Sequence, residues 1–206
     1  QFFGVEDFVK AYDANGINAP IGCDFLHRES EITEICASIL NNKVTILTGP
    51  SGIGKTRLSL EVCRQQDNGK TKVFCVKSNG NLLYEDIKYY ISDPGRYLLF
   101  FDDANMVVSL DNVFDTILTL PIEFDVKILI SVRDYAKERV IDAASKYALP
   151  SIIEIGCFKD EEIKDVLKAD LGIVNSDYLK KIAEIANGNI RLAFLAGMRS
   201  MDDGYQ

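Results

Sequence analysis

Positive charge is scarce in this chain of 206 residues: 23 Lys and Arg stand against 31 Asp and Glu, a net charge of −8, and no cluster of basic residues offsets the balance. A chain this acidic repels a phosphate backbone unless its cations gather on one face, so nucleic acid is not an expected partner of this fragment. Long apolar runs are missing as well. The longest, Tyr97 to Phe101 and Ile128 to Val132, are far too short to cross a bilayer, and the N-terminus has neither the charged start nor the apolar stretch of a signal peptide. A cytoplasmic location away from membranes is therefore the default. No C-x-x-C spacing occurs among the five scattered cysteines, Cys23, Cys36, Cys63, Cys75 and Cys157, which argues against a zinc site and a disulfide framework and for mostly buried thiols. Internal repeats and low-complexity segments are absent too. The chain opens at Gln1 rather than Met and stops after Met201 to Gln206 without a natural ending, so it reads as an excised piece of a longer protein.

What is present begins with Gly49-Pro50-Ser51-Gly52-Ile53-Gly54-Lys55-Thr56, which fits G-x-x-x-x-G-K-[ST] without a mismatch and follows a short apolar run, Val44 to Leu47. A loop that cradles phosphate needs a strand to aim it and glycines that let backbone N–H groups close around an oxyanion. It also needs a helix whose positive N-terminal end faces the same anion. All three are in place, since Leu58, Val62 and Cys63 recur at helical spacing behind Thr56 and Arg57. A glycine-rich turn that merely contains Lys-Thr is the bland alternative, and the agreement of strand, loop and helix argues against it.

Upstream, Phe2, Val5, Phe8, Val9 and Tyr12 predict a lead-in helix that the polar stretch Asp13 to Asn18 ends. Phe25-Leu26-His27-Arg28-Glu29-Ser30-Glu31 then opens an amphipathic helix with Ile32, Ile35, Ile39 and Leu40 on its inner face. Phe25 and Leu26 either form a slot for a flat base or pack into the core. Val73 to Val76 is a second strand and Leu82 to Ile91 a crossover helix. Tyr97 to Phe101 is a continuous apolar strand that delivers Asp102 and Asp103 at its C-terminal end, the ligand edge of a doubly wound sheet. One acid there can hold Mg²⁺ through its water shell while the other orients an attacking water; an Asp-Asp loop without function is the alternative. After a helix from Leu110 to Leu120, the strand Val126 to Val132 brings Ser131 or Arg133 toward a terminal phosphate, unless Arg133 is an exposed loop arginine. A helix, Ala136 to Tyr147, and a strand, Ser151 to Ile155, complete the pattern. Beyond Gly156 come three helical patterns with no strand between them: Lys159 to Leu171, Ser176 to Ala186 and Asn189 to Met201. Asp160 and Ser176 read as N-caps, Gly172 and Gly188 as stops. The expected architecture is an α/β domain over 1–157, with a five-stranded parallel sheet flanked by helices, and a small all-helical domain over 158–206.

So assembled, the chain resembles the AAA+ superfamily of P-loop ATPases, and most closely its STAND branch of signalling switches, which includes NOD-like immune receptors and bacterial antiviral defence ATPases. The resemblance runs from Phe25 to about Met198. It implies that Gly49 to Thr56 is the Walker A motif, wrapped with Arg57 around the nucleotide, Lys55 on the β- and γ-phosphates and Thr56 on Mg²⁺. Leu98 to Asp103 is similar to the Walker B motif, which implies Asp102 as the metal-side acid and Asp103 as the helper in slow hydrolysis. Phe25, Leu26 and Arg28 resemble the hydrophobic-Gly-Arg-Glu-x-Glu box that cradles adenine, with His27 where glycine is usual, and Arg133 resembles the sensor-1 arginine. Gly188-Asn189-Ile190-Arg191 is similar to the Gly-x-Pro motif of the STAND lid, with Ile190 in place of proline. The same stretch also resembles the sensor-2 segment of replication initiators and clamp loaders, which implies that Arg191 reaches the γ-phosphate from a helical lid.

The function implied is an ATP- and ADP-binding, Mg²⁺-dependent switch domain of a signalling or defence protein. It would hydrolyse slowly, with the nucleotide state setting lid position and self-association in the ATP state. A second reading is an AAA+ ATPase of replication-initiator, clamp-loader or transposition type acting on DNA, supported by the Gly-Asn-Ile-Arg segment and opposed by the net charge of −8. A third is a nucleotide-binding module without turnover. Adenine is expected over guanine, because no Asn-Lys-x-Asp stretch occurs.

Overall fold

The structure, a computed structural model, describes residues 1–14 and 25–202, so Cys23 and the end of the polar stretch Asp13 to Asn18 lie outside the described residues. The chain runs through β1 (Phe2–Phe3), α1 (Val5–Asp13), α2 (Glu29–Asn41), β2 (Val44–Thr48), α3 (Lys55–Gln66), β3 (Thr71–Lys77), α4 (Tyr84–Tyr90) and β4 (Gly95–Asp102). It continues through α5 (Leu110–Leu118), β5 (Phe124–Ser131), α6 (Lys137–Ser145), β6 (Ser151–Glu154), α7 (Asp160–Leu171), α8 (Ser176–Ala186) and α9 (Ile190–Asp202). The strands form one sheet in the order β1-β3-β4-β5-β2-β6, and every pairing but the first is parallel.

The central strands are apolar throughout because both faces of the sheet are covered, and their side chains alternate between two cores. On one face Tyr97, Leu99 and Phe101 of β4 and Ile128 and Ile130 of β5 pack under α4, α5 and α6. On the other, Leu98 and Phe100 of β4, Leu129 of β5 and Leu47 of β2 meet Phe8 of α1, Ile35 of α2 and Leu58 and Val62 of α3. Each such fully buried side chain contributes roughly 1.5–3 kcal/mol relative to exposure. The polar Thr45 is accommodated on this second face by a 2.8 Å hydrogen bond between its hydroxyl and that of Ser38 on α2.

Two expectations need correction. The sheet has six strands rather than five, because Phe2 and Phe3 add an antiparallel edge strand, with Phe2 opposite Val76 and Phe3 opposite Cys75; the lead-in helix starts only at Val5. The physical reason is period: consecutive aromatics on a strand face opposite ways. Phe2 stacks on Tyr90 at 4.9 Å, while Phe3 meets Phe8 at 6.2 Å on the other side. The helix caps also fall one residue earlier than read. Lys159 precedes α7 and its N–H donates to Glu162, while the Asn175 side chain accepts from the N–H groups of Asp177 and Tyr178 ahead of α8. Of the described cysteines, Cys63 and Cys75 are buried, Cys36 is half-buried and Cys157 is exposed, and all four are free thiols.

Helices α7, α8 and α9 pack around an apolar cluster of their own, including Ile163, Leu167, Ile173, Leu179 and Ile182. The chain enters them through Phe158, whose N–H donates to the carbonyl of Gly188 at 3.1 Å. Among the described residues, no helix is long and apolar enough to cross a membrane.

Candidate functional site

Parallel pairing aligns the strand ends. Lys77 lies opposite Asp102, Leu47 opposite Ser131 and Thr48 opposite Glu154, so the segments that leave β2, β4 and β5 emerge side by side at one edge. At that edge the loop after β2 turns sharply into α3. Gly49 has φ of 141° and passes so close to β6 that a Cβ there would lie 2.5 Å from the carbonyl oxygen of Ile155. Gly52 has φ of 85°, and a Cβ on it would overlap the side chain of Asn189. Ile53 is buried and pins the loop to the core, while Pro50 is exposed.

Lys55 is only 7% exposed, and its Nζ donates to the carbonyls of Gly49 (2.6 Å) and Pro50 (2.8 Å), folding back along the loop. Burial pulls its pKa down, a tendency that the charge of Asp134 opposes first. An anion in the loop would act in the same direction as Asp134 and hold the ammonium charged.

A line of hydrogen bonds connects the acidic strand to its neighbours. Thr56 Oγ1 donates to Asp102 Oδ1 at 2.8 Å, Ser131 Oγ donates to the same oxygen at 2.8 Å, and the Asp103 N–H donates to Ser131 Oγ at 2.9 Å. Asp103 itself has left-handed backbone, φ 46°, which turns its carboxylate out of the strand line toward Arg133, whose Nη2 donates to Oδ2 at 3.0 Å. Burial pushes the Asp102 carboxyl above the usual range, and the hydroxyls of Thr56 and Ser131 offset part of that by hydrogen bonding to the ionised form. Asp103, by hydrogen bond and charge, holds the Arg133 guanidinium protonated. Thr56 and Asp102 offer two hard oxygens side by side. Among the described residues, no group of three or more His, Cys, Asp or Glu side chains is arranged to hold a metal. That donor set fits Mg²⁺, which keeps several waters and is bound through one or two protein oxygens together with phosphate; it does not fit zinc.

At the other end of the same cleft, His27 (φ 64°) and Arg28 (φ 69°) are both left-handed. The position where glycine is usual therefore keeps the backbone shape glycine would give, at a cost of roughly 1–2 kcal/mol for a side chain. Arg28 is clamped by Glu31 (3.0 Å), the carbonyl of Gly156 (2.8 Å) and the ring of Phe158, 4.1 Å from its Cζ. Phe25 and Leu26 line the cleft, and Phe25 also packs on the core with Arg57 5.4 Å over its ring. From α9 the Arg191 N–H donates to the carbonyl of Gly52 at 3.0 Å and Asn189 Nδ2 donates to that of Ser51 at 3.2 Å. Ile190 is the first residue of α9, a position that tolerates proline but does not require it.

The cleft thus brings together Phe25, Leu26, Arg28, Ser51, Gly52, Gly54, Lys55, Thr56, Arg57, Asp103, Arg133 and Arg191, all expected from the sequence. Gly49, Pro50, Ile53 and Asp102, also expected at the site, are not among the lining residues. Sequence reasoning missed Tyr12, Phe158, Val166, Asp170 and Phe194, which complete its walls. It also missed Asn189, whose Oδ1 accepts the Leu192 N–H at 3.0 Å and caps α9. An Asn ahead of an apolar helical run was the available signal for that one; the others carry none outside tertiary structure.

A strand, a glycine-rich phosphate loop, a helix and an adjacent acidic strand define a P-loop nucleotide-binding fold. Solved structures that share this fold include Orc1, RuvB and Cdc6 proteins. The chain matches the Orc1 protein of Aeropyrum pernix in complex with DNA (TM-score 0.68, 16% identity, covering 91% of this chain and 63% of that one). It also matches RuvB of Thermotoga maritima, a Holliday junction branch migration motor (0.62, 18%, 85% and 62%), and Cdc6p of Pyrobaculum aerophilum (0.63, 17%, 88% and 64%). The chain spans less than two thirds of the length of each, and at these identities the likeness is one of fold. No protein-family model matches the chain, and no curated protein does. These comparisons support the AAA+ level of the resemblance and not its STAND branch.

Proposed function

We propose that the chain is an ATP-binding, Mg²⁺-dependent ATPase module, with residues up to about 157 holding the nucleotide and α7–α9 acting as a lid that responds to the γ-phosphate. The observation that carries this is the hydrogen-bonded line Thr56–Asp102–Ser131–Asp103, ending on Arg133, beside the phosphate loop. Thr56 and Asp102 would hold Mg²⁺, which supplies neutralisation of the charge on the β- and γ-oxygens. Lys55 exchanges its two loop carbonyls for phosphate oxygens. Asp103 faces the attacking water, but its carboxylate is already engaged by Arg133, which favours slow turnover. Ser51 and Gly52 are bonded directly to Asn189 and Arg191, so a phosphate that reshapes the loop shifts the start of α9; such differential contact is what a ligand needs to bias two states.

For the setting in which the module works, the solved structures support the DNA-acting reading better than the STAND signalling switch, because an Orc1 bound to DNA and a branch migration motor share the fold. The expectation that nucleic acid is not a partner finds no support there, since net charge says nothing of where the cations lie. The resemblance of Asp102, Asp103 and Arg133 to a slowly hydrolysing site is the support for the switch, with self-association in the ATP state. Calorimetric titration with ATP and Mg²⁺ tests the central claim. Lys55→Ala, which loses two charge-assisted bonds to phosphate, should bind about a hundredfold more weakly than the parent, with melting temperature as the control for the fold. Equal affinities would mean that the loop does not bind phosphate.

A further inference from the structure

Tyr12 belongs to none of the motifs, yet it lines the same cleft as Lys55, Asp103 and Arg133. It is brought there by α1, which is firmly seated. Phe8, one turn earlier, is buried with its ring 6.1 Å from that of Phe100, and Glu6 accepts from Arg64 of α3 at 2.8 Å. The Tyr12 ring lies 6.3 Å from Phe8 and 5.2 Å from Nζ of Lys77, the last residue of β3 and the one paired with Asp102. The ring therefore stands where β3 and β4 end.

We propose that Tyr12 is a further nucleotide-positioning residue whose hydroxyl donates a hydrogen bond to the terminal phosphate, which makes α1 part of triphosphate recognition. This rests on the nucleotide reading of the cleft. Tyr12 shares the cleft wall with Lys55, Thr56, Asp103 and Arg133. A phenol is a hydrogen-bond donor at neutral pH, which an anionic phosphate oxygen requires. The stacking on Phe8 and the contact with Lys77 need only the ring, which phenylalanine also has, so the hydroxyl can be removed on its own.

The test compares wild type, Tyr12→Phe and Tyr12→Ala in the full chain by calorimetric titration with Mg²⁺ and either ADP or a non-hydrolysable ATP analogue, with melting temperature as the control. Tyr12→Phe should bind ADP as wild type does and the ATP analogue about tenfold more weakly, at an unchanged melting temperature. If Tyr12→Phe keeps the wild-type ratio of the two affinities, the proposal is overturned, and a defect confined to Tyr12→Ala with a lowered melting temperature assigns Tyr12 to packing alone. Wild type that binds neither nucleotide overturns the nucleotide reading and this proposal together; wild type that distinguishes them as well as Tyr12→Phe does overturns only the role of Tyr12.

Discussion

Ser131 is a side chain that bonds both candidate site acids. It is 1% exposed, donates to Asp102 and accepts from the backbone of Asp103, so one hydroxyl fixes the rotamer of the first and the turn at the second. Ser131→Ala leaves a buried carboxylate oxygen with one donor fewer and a backbone N–H without its acceptor, each worth roughly 1–3 kcal/mol. Urea denaturation should register a loss of about 2 kcal/mol in the variant, together with a higher Mg²⁺ requirement for nucleotide binding; unchanged values on both counts would show that water replaces the hydroxyl. Ser131 and Arg133 were both legible as residues at a strand end. Their division of labour was not, because it depends on which neighbour each faces once β5 has paired with β4 in the observed register.

Among the elements, α1 departs furthest from the sequence pattern. Its apolar spacing promised a helix and did not reveal that Phe2 and Phe3 would leave it for the sheet edge, since a short apolar run fits a helix and a strand equally well. That edge pairing and the Glu6–Arg64 bond orient the helix so that Tyr12 reaches the cleft. The hydrogen bond from Arg64 holds the Glu6 carboxyl below the usual range. Because the folded-state pKa is lowered, the stabilisation is present above the ordinary glutamate pKa and is lost as pH falls through the depressed folded value. The pair is exposed, so its worth is within about 1 kcal/mol. Melting temperature followed from neutral pH into the acid range should therefore drop slightly more for wild type than for Glu6→Gln, with the difference shrinking in high salt. The α9 helix shows the opposite case, where Asn189 follows an ordinary capping rule and its second bond, to the phosphate loop, is visible only in three dimensions.

At the scale of the whole molecule, the proposed nucleotide switch would serve either DNA remodelling or regulated assembly, and the two differ in salt response. If the DNA-acting reading holds, the protein with ATP and Mg²⁺ should bind duplex DNA with an affinity that falls steeply between about 50 and 200 mM salt, and Lys55→Ala should lose the ATP stimulation. Sedimentation in the same buffers that instead reveals ATP-dependent self-association without DNA binding would return the module to the signalling reading.

The amino-acid sequence by itself determined the phosphate loop, the acidic strand and the helical run after Cys157. Each depends on local rules: glycine spacing, a buried strand ending in carboxylates, and apolar periodicity along one segment. Tertiary structure alone decided that Thr56, Asp102, Ser131 and Asp103 share one line of hydrogen bonds, that Arg133 is spent on Asp103, and that Tyr12 lines the same cleft. Those relations join residues distant along the chain, and only strand register and helix docking, set by the two buried cores together, bring them within bonding distance.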